Sequence, residues 1–189
     1  MSQRLRPHRI ELDDLVLRPF GWTDEPAVAE ALRDPEILRW TAGKAVIRTP
    51  ADQRARRWLE TRVDGWERGN AVFAVADATS DYVLATVSIR EVNRLPDQAV
   101  VAYWVSPAAR GRRLAARALD AAARWSFAKD GLGLHRLSLD HALVNEGSCR
   151  VAVRAGFQLE GTMREFFVEP SGERHDSHLH ARLATDPVV

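Results

Sequence analysis

The stretch from Ala102 to Trp125 constrains this chain more than any other. Ala102-Tyr103-Trp104-Val105-Ser106-Pro107 is aromatic and β-branched and ends on proline, so it reads as a strand whose ladder Pro107 stops. It breaks into Arg110-Gly111-Arg112-Arg113-Leu114-Ala115 and then an alanine-rich helix, with Leu114, Ala118, Ala122 and Trp125 on one face. A small, basic turn at a helix start presents free backbone N–H groups backed by the positive end of the helix dipole. Phosphate suits such a turn, although an ordinary strand-to-helix connection with solvated arginines would read the same. Neither G-x-G-x-x-G after a first strand nor Gly-Lys-Ser/Thr is present, so dinucleotide-fold and P-loop readings lack their signatures.

With 189 residues, 46% of them hydrophobic, the chain can bury one core, and a single domain over 1–189 is expected, with 1–10 a loose N-terminal extension. Lys and Arg (27) nearly cancel Asp and Glu (26), which argues against a nucleic-acid partner; Arg110, Arg112, Arg113 and Arg117 form only a local patch. Cys149 is the one cysteine, and no apolar run suits a membrane span or a signal h-region, so a cytoplasmic protein without membrane attachment is expected.

The remaining elements alternate. Leu15–Phe20 reads as a strand, and Thr23 caps a helix to about Arg33 that Asp34-Pro35 ends. Trp58, Leu59, Val63 and Trp66 predict a second helix over Pro50 to about Arg68, closed by Gly69-Asn70. Strands at Val72–Val75 and Tyr82–Ile89 flank a turn at Thr79-Ser80-Asp81. Arg136–Val144 is a strand, Glu146–Ala155 a short helix closed by Gly156, and Phe157–Val168 with His178–Leu183 a closing strand pair.

Asn145-x-x-Ser148, then Gly156-Phe157, Leu159-Glu160-Gly161 and Arg164, all downstream of the arginine turn, resemble the GNAT acyltransferases and within them the RimJ/RimL-like branch. Leu15-x-Leu17-Arg18-Pro19, Tyr103-Trp104-Val105, Leu134-His135-Arg136-Leu137 and Gly172-x-x-x-Asp176 extend the resemblance over nearly the whole chain. It implies an α+β fold: a mixed, mostly antiparallel seven-stranded sheet, splayed at its middle and flanked by about four helices. It also implies acetyl-CoA as cosubstrate, with Trp104, Val105, Arg110, Gly111, Arg112, Arg113, Leu114, Ala115, Asn145 and Ser148 on the cofactor side. The open edge of the strand ending at Val105 can extend to the pantetheine amides, and the turn suits the pyrophosphate. Arg113 stands where the family's loop usually has glycine. It is expected to add a charge-assisted bond to phosphate rather than crowd the loop; as a bland exposed residue it would need a negative φ.

Amide formation from a thioester needs a neutral amine, stabilisation of the tetrahedral oxyanion and a proton for the leaving thiolate. The Tyr that many relatives use as acid is replaced by Ala152, and the resemblance assigns that role to Ser148, with Asn145 holding the pantetheine. Both also suit a simple helix cap. Two carboxylates common in the branch are replaced by Val100 and by Phe166 or Phe167, leaving Glu165, His175, Asp176 and His141 as base or acceptor-site candidates. A weak base favours an amine of low pKa: at pH 7 deprotonation costs about 1 kcal/mol for an α-amine and about 4 to 5 for lysine.

His178 and His180 share one strand face with His175 opposite, a spacing that does not bring three ligands together, so no metal is expected. The sequence therefore reads as an N-acetyltransferase acting on a primary amine, a protein N-terminus or a small molecule, by direct attack in a ternary complex. A larger donor such as succinyl-CoA, or an acyl-CoA sensor without turnover, are the alternatives. A homodimer is plausible by family analogy alone.

Overall fold

A computed structural model describes residues 4–92 and 96–187. The strands are β1 (Ile10–Glu11), β2 (Leu15–Pro19), β3 (Ala71–Asp77), β4 (Val83–Arg90), β5 (Gln98–Val105), β6 (Arg136–Ala142), β7 (Gln158–Val168) and β8 (Arg174–Leu183). They form one sheet in the order β1-β2-β3-β4-β5-β6-β8-β7. Every neighbouring pair is antiparallel except β5 and β6. Two-residue β1 makes eight strands where seven are expected. The α-helices are α1 (Glu25–Ala31), α2 (Pro35–Trp40), α3 (Lys44–Ile47), α4 (Arg54–Leu59), α5 (Leu114–Phe127) and α6 (Glu146–Arg154), six among the described residues rather than about four.

The sheet buries both faces. On one, Leu17, Phe73, Ile89 and Leu139 pack with Leu114, Ala118, Leu119 and Ala122 of α5 and with Ala152 of α6. On the other, Phe20, Ala74 and Trp104 pack with Val28 of α1 and with Trp58 and Leu59 of α4. This two-sided arrangement explains why the helix expected over Pro50 to Arg68 is broken. Trp58 and Trp66, eight residues apart, would share one face of a continuous helix. Trp58 instead belongs to one core and Trp66 to the other, so α4 ends at Leu59 and Trp66 sits in a separate 3-10 turn, Nε1 donating to Val72 O at 3.1 Å. Gly65 permits the crossing: a Cβ there would lie 2.9 Å from Val72 Cγ2.

Asp34-Pro35 ends α1 as expected but also starts α2, because the Asp34 carboxylate accepts from Ile37 N at 2.9 Å and Pro35 occupies the first helical position. Within the expected loose extension, Leu5 is buried and its N–H donates to Trp66 O, and His8 stacks on Trp125 at 5.2 Å. Among the described residues no helix is long and apolar enough to cross a membrane.

Candidate active site

β5 and β6 are in register at only three pairs, Gln98↔Arg136, Ala99↔Leu137 and Val100↔Ser138. β5 continues to Val105 against β4, where Ala85 pairs Val105, but on its other side the ladder has ended. The strands diverge there around a cleft of about 900 Å³ lined by Val101–Val105 on one wall and Leu139–Ala142 on the other. Unpaired backbone groups along Val101–Val105 need partners, and an extended, amide-bearing ligand supplies them.

At the outer end of the cleft lies the arginine turn. Arg113 is the N-cap of α5, and no side chain caps the helix, so the N–H groups of its first turn stay available to an anion. Arg113 adopts φ 57°, ψ 14°, in the left-handed region that favours glycine. Its φ is therefore positive, and a tolerated Arg with negative φ is ruled out: the backbone takes a conformation that suits glycine while carrying a guanidinium. Arg110, Gly111, Arg113, Leu114 and Ala115 line the cleft; Arg112 does not.

Arg110 is already engaged at the cleft's edge. Its guanidinium forms a bidentate pair with Asp34 at 2.8 and 3.1 Å. Burial raises the Asp34 carboxyl, but the bonds from Arg110 and Ile37 N outweigh it and hold the group below the usual carboxylate range. Asp34 thereby ties the turn to α2, whose Ile37 and Trp40 also line the cleft. Asp34→Ala is expected to lower Tm by about 2–4 °C, since losing the cap costs about 1 kcal/mol and the half-exposed ion pair adds little. A thermal melt checks it.

Two elements deliver Ser148. Asn145 caps α6, its Oδ1 accepting from Ser148 N at 3.2 Å, and the Ser148 hydroxyl is 2.8 Å from the Tyr103 hydroxyl on β5. Burial pushes the Tyr103 phenol up to about 12, so it is neutral at pH 7 and able to donate. Sequence reasoning placed Tyr103 on its strand without giving it a role; only the approach of α6 to β5 does so.

The base candidates separate. Glu165, His175 and Asp176 do not line the cleft, whereas His141 does. Asp176 accepts from Glu165 N at 2.8 Å, holding an irregular stretch of β7. His175 is 2.5 Å from Glu169, which also binds Arg39 of α2. Arg39 and then His175 hold the Glu169 carboxyl below its ordinary range. This network, with Trp40 5.5 Å from Phe167, braces the wall that α2 contributes.

Sequence reasoning missed Asp140. It lines the cleft with Arg90, and burial pushes its carboxyl above the usual carboxylate range while Arg90 pulls it partly back. Its neighbour His141 turns to the opposite face of the sheet. There His141, His178, His180 and Cys149 place one ligand atom each within 4.8 Å of one another. Spacing along β8 alone could not reveal this, because His141 comes from β6 and Cys149 from α6; His175 stands on the other face, as expected. Burial keeps His141 and His180 below the usual imidazole range and therefore neutral.

Residues 14–158 match the family described as an acetyltransferase (GNAT) domain. No curated protein sequence matches the chain. Among solved structures, a ribosomal-protein-S5-alanine acetyltransferase from Vibrio fischeri is 21% identical at TM-score 0.76, over 95% of this chain and 98% of that one. A GNAT-family acetyltransferase from Bacillus anthracis is 19% identical at TM-score 0.78, over 95% and 100%. RimL, a ribosomal L7/L12 alpha-N-protein acetyltransferase in complex with coenzyme A, is 19% identical at TM-score 0.78, over 93% and 98%.

Proposed function

Because the chain belongs to the acetyltransferase (GNAT) family, with a RimJ/RimL-like architecture, we propose that it moves an acetyl group from acetyl-CoA to a primary amine in a ternary complex. The observation that carries this reading is the divergence of β5 from β6 after Val100, which opens one strand edge between the arginine turn and Ser148. A pyrophosphate at the N-terminus of α5 and pantetheine amides along Val101–Val105 would direct the thioester toward the inner end of the cleft.

In this mechanism the amine nitrogen attacks the thioester carbonyl, the tetrahedral intermediate collapses, and the C–S bond breaks. Ser148 gives its proton to the departing thiolate and regains one from solvent, to which Asp140 releases the amine proton. Tyr103, donating to Ser148 Oγ, leaves the serine O–H free to point at sulfur; it acts as a positioning residue. Asp140 takes the proton of the attacking amine, directly or through water, in place of the four candidates read from sequence. The low-pKa amine preference of a weak base makes a protein or peptide α-amine the favoured acceptor class.

The deciding experiment incubates the protein with acetyl-CoA and a panel of N-terminal peptides, lysine peptides and small amines, following CoA release. Release with α-amine substrates above lysine peptides supports the proposal. Tight CoA binding without release from any amine would make the protein a sensor, and faster release from succinyl-CoA would change the donor.

Arg113 gives an independent check on the donor side. Arg113→Gly removes a left-handed strain of about 1 kcal/mol, raising Tm by about 2–4 °C. It also removes a charge-assisted bond to phosphate, weakening CoA binding about tenfold. Opposite signs in a melt and a CoA titration are the expected result.

A further inference from the structure

We propose that His141, His178, His180 and Cys149 form a tetrahedral His₃Cys site for a divalent cation of the zinc type, tying α6 to β6 and β8. All four present a ligand atom to one point, none farther than 4.8 Å from another. Zinc bound to imidazole at about 2.0–2.1 Å and thiolate at about 2.3 Å places neighbouring nitrogens about 3.3 Å apart and nitrogen and sulfur about 3.6 Å apart. His141 Nε2 lies 3.2 Å from His180 Nε2, and Cys149 Sγ 3.9 Å from the same nitrogen. The remaining separations close by rotation of His178 and Cys149, both only half-buried.

The outer contacts fix the tautomers. His141 Nδ1 is 2.9 Å from Ala142 O, and His180 Nδ1 is 3.4 Å from Phe157 O. Carbonyl oxygens only accept, so each Nδ1 carries its hydrogen and each Nε2 turns a lone pair toward the other. Two lone pairs face to face repel, and a cation between them turns that repulsion into coordination. Backbone carbonyls orienting imidazoles in this way are the usual outer shell of a metal site. His178 Nδ1 adds a buried nitrogen without a hydrogen-bond partner in the described structure.

Nitrogen and sulfur donors without a carboxylate select zinc-like or other borderline-soft cations over magnesium or calcium. A closed four-ligand set gives such an ion a structural role. Cys149 follows Ser148 in the first turn of α6, so the ion would pin the segment that holds the Ser148 hydroxyl against Tyr103.

The test titrates tag-free, metal-stripped protein with Co²⁺ and then Zn²⁺. One equivalent of Co²⁺ per chain is expected, with the visible absorption of a tetrahedral thiolate site, displaced by Zn²⁺, and Tm rises when Zn²⁺ is added. Cys149→Ser should abolish the sulfur-to-cobalt band, and Cys149→Ser and His178→Ala should each weaken binding at least tenfold. These half-buried positions are chosen because His180 is fully buried and its replacement would disturb the core. Absence of stoichiometric binding overturns the site. Binding unchanged in both variants overturns it equally. Neither result depends on acetyl transfer.

Discussion

Ser148→Ala is expected to lower kcat about a hundredfold with the best amine acceptor while leaving the affinity for acetyl-CoA within about twofold. The serine stands at the inner end of the cleft, where its side-chain contact is the Tyr103 hydroxyl at 2.8 Å. The helix start that holds it is capped by the Asn145 side chain bonding to the Ser148 backbone, a contact that alanine preserves. Truncation therefore removes a proton donor without unseating the helix or disturbing the phosphate turn. Tyr103→Phe should cost about tenfold, since the phenol only steers the serine proton. If the two act as a unit, the double variant should be no slower than Ser148→Ala alone. Steady-state kinetics of the three variants decides between this and independent roles, for which the losses would multiply. An unchanged kcat in Ser148→Ala removes the acid role outright.

The half of the cleft proposed for the donor is legible in the sequence because it is nearly contiguous. The strand edge, the turn and the start of α5 follow one another from Tyr103 to Ala115, and the Asn145-to-Ser148 spacing is that of a helix cap. The half proposed for the acceptor depends on register. Asp140 and Arg90 are 50 residues apart in sequence and meet only because β4, β5 and β6 are neighbours in the sheet. Glu165 and Asp176 carry the right chemistry but do not line the cleft, and the Asp176 carboxylate is engaged by the backbone N–H of Glu165. The backbone of Arg113 is hidden from sequence for a related reason: residue type disfavours a positive φ, and the geometry of the turn overrides it. The break between Trp58 and Trp66 is equally hidden, because helical spacing reports that two residues are apolar and not which of two cores receives each.

Asp140→Asn should lower kcat/KM about a hundredfold near neutral pH, and its pH profile carries the stronger test. The carboxylate acts as a base only when deprotonated, and burial raises the pH at which it loses its proton. Activity gated by this group is therefore present above the raised pKa and lost as pH falls through it. The acceptor adds its own limb, because only the neutral amine attacks, and for an α-amine that limb lies near pH ~8. Log kcat/KM should thus fall with a slope of about one below that pH and about two once Asp140 is protonated as well. Asparagine cannot titrate, so the variant should keep the slope of about one throughout. Arg90 stabilises the carboxylate, which makes Arg90→Gln a second handle: removing the positive charge should move the lower break to higher pH. A lower break that persists in Asp140→Asn would assign the second proton to another group and leave Asp140 as a charge lining the acceptor wall. A break that moves in Arg90→Gln and vanishes in Asp140→Asn identifies the base by the neighbour that tunes it.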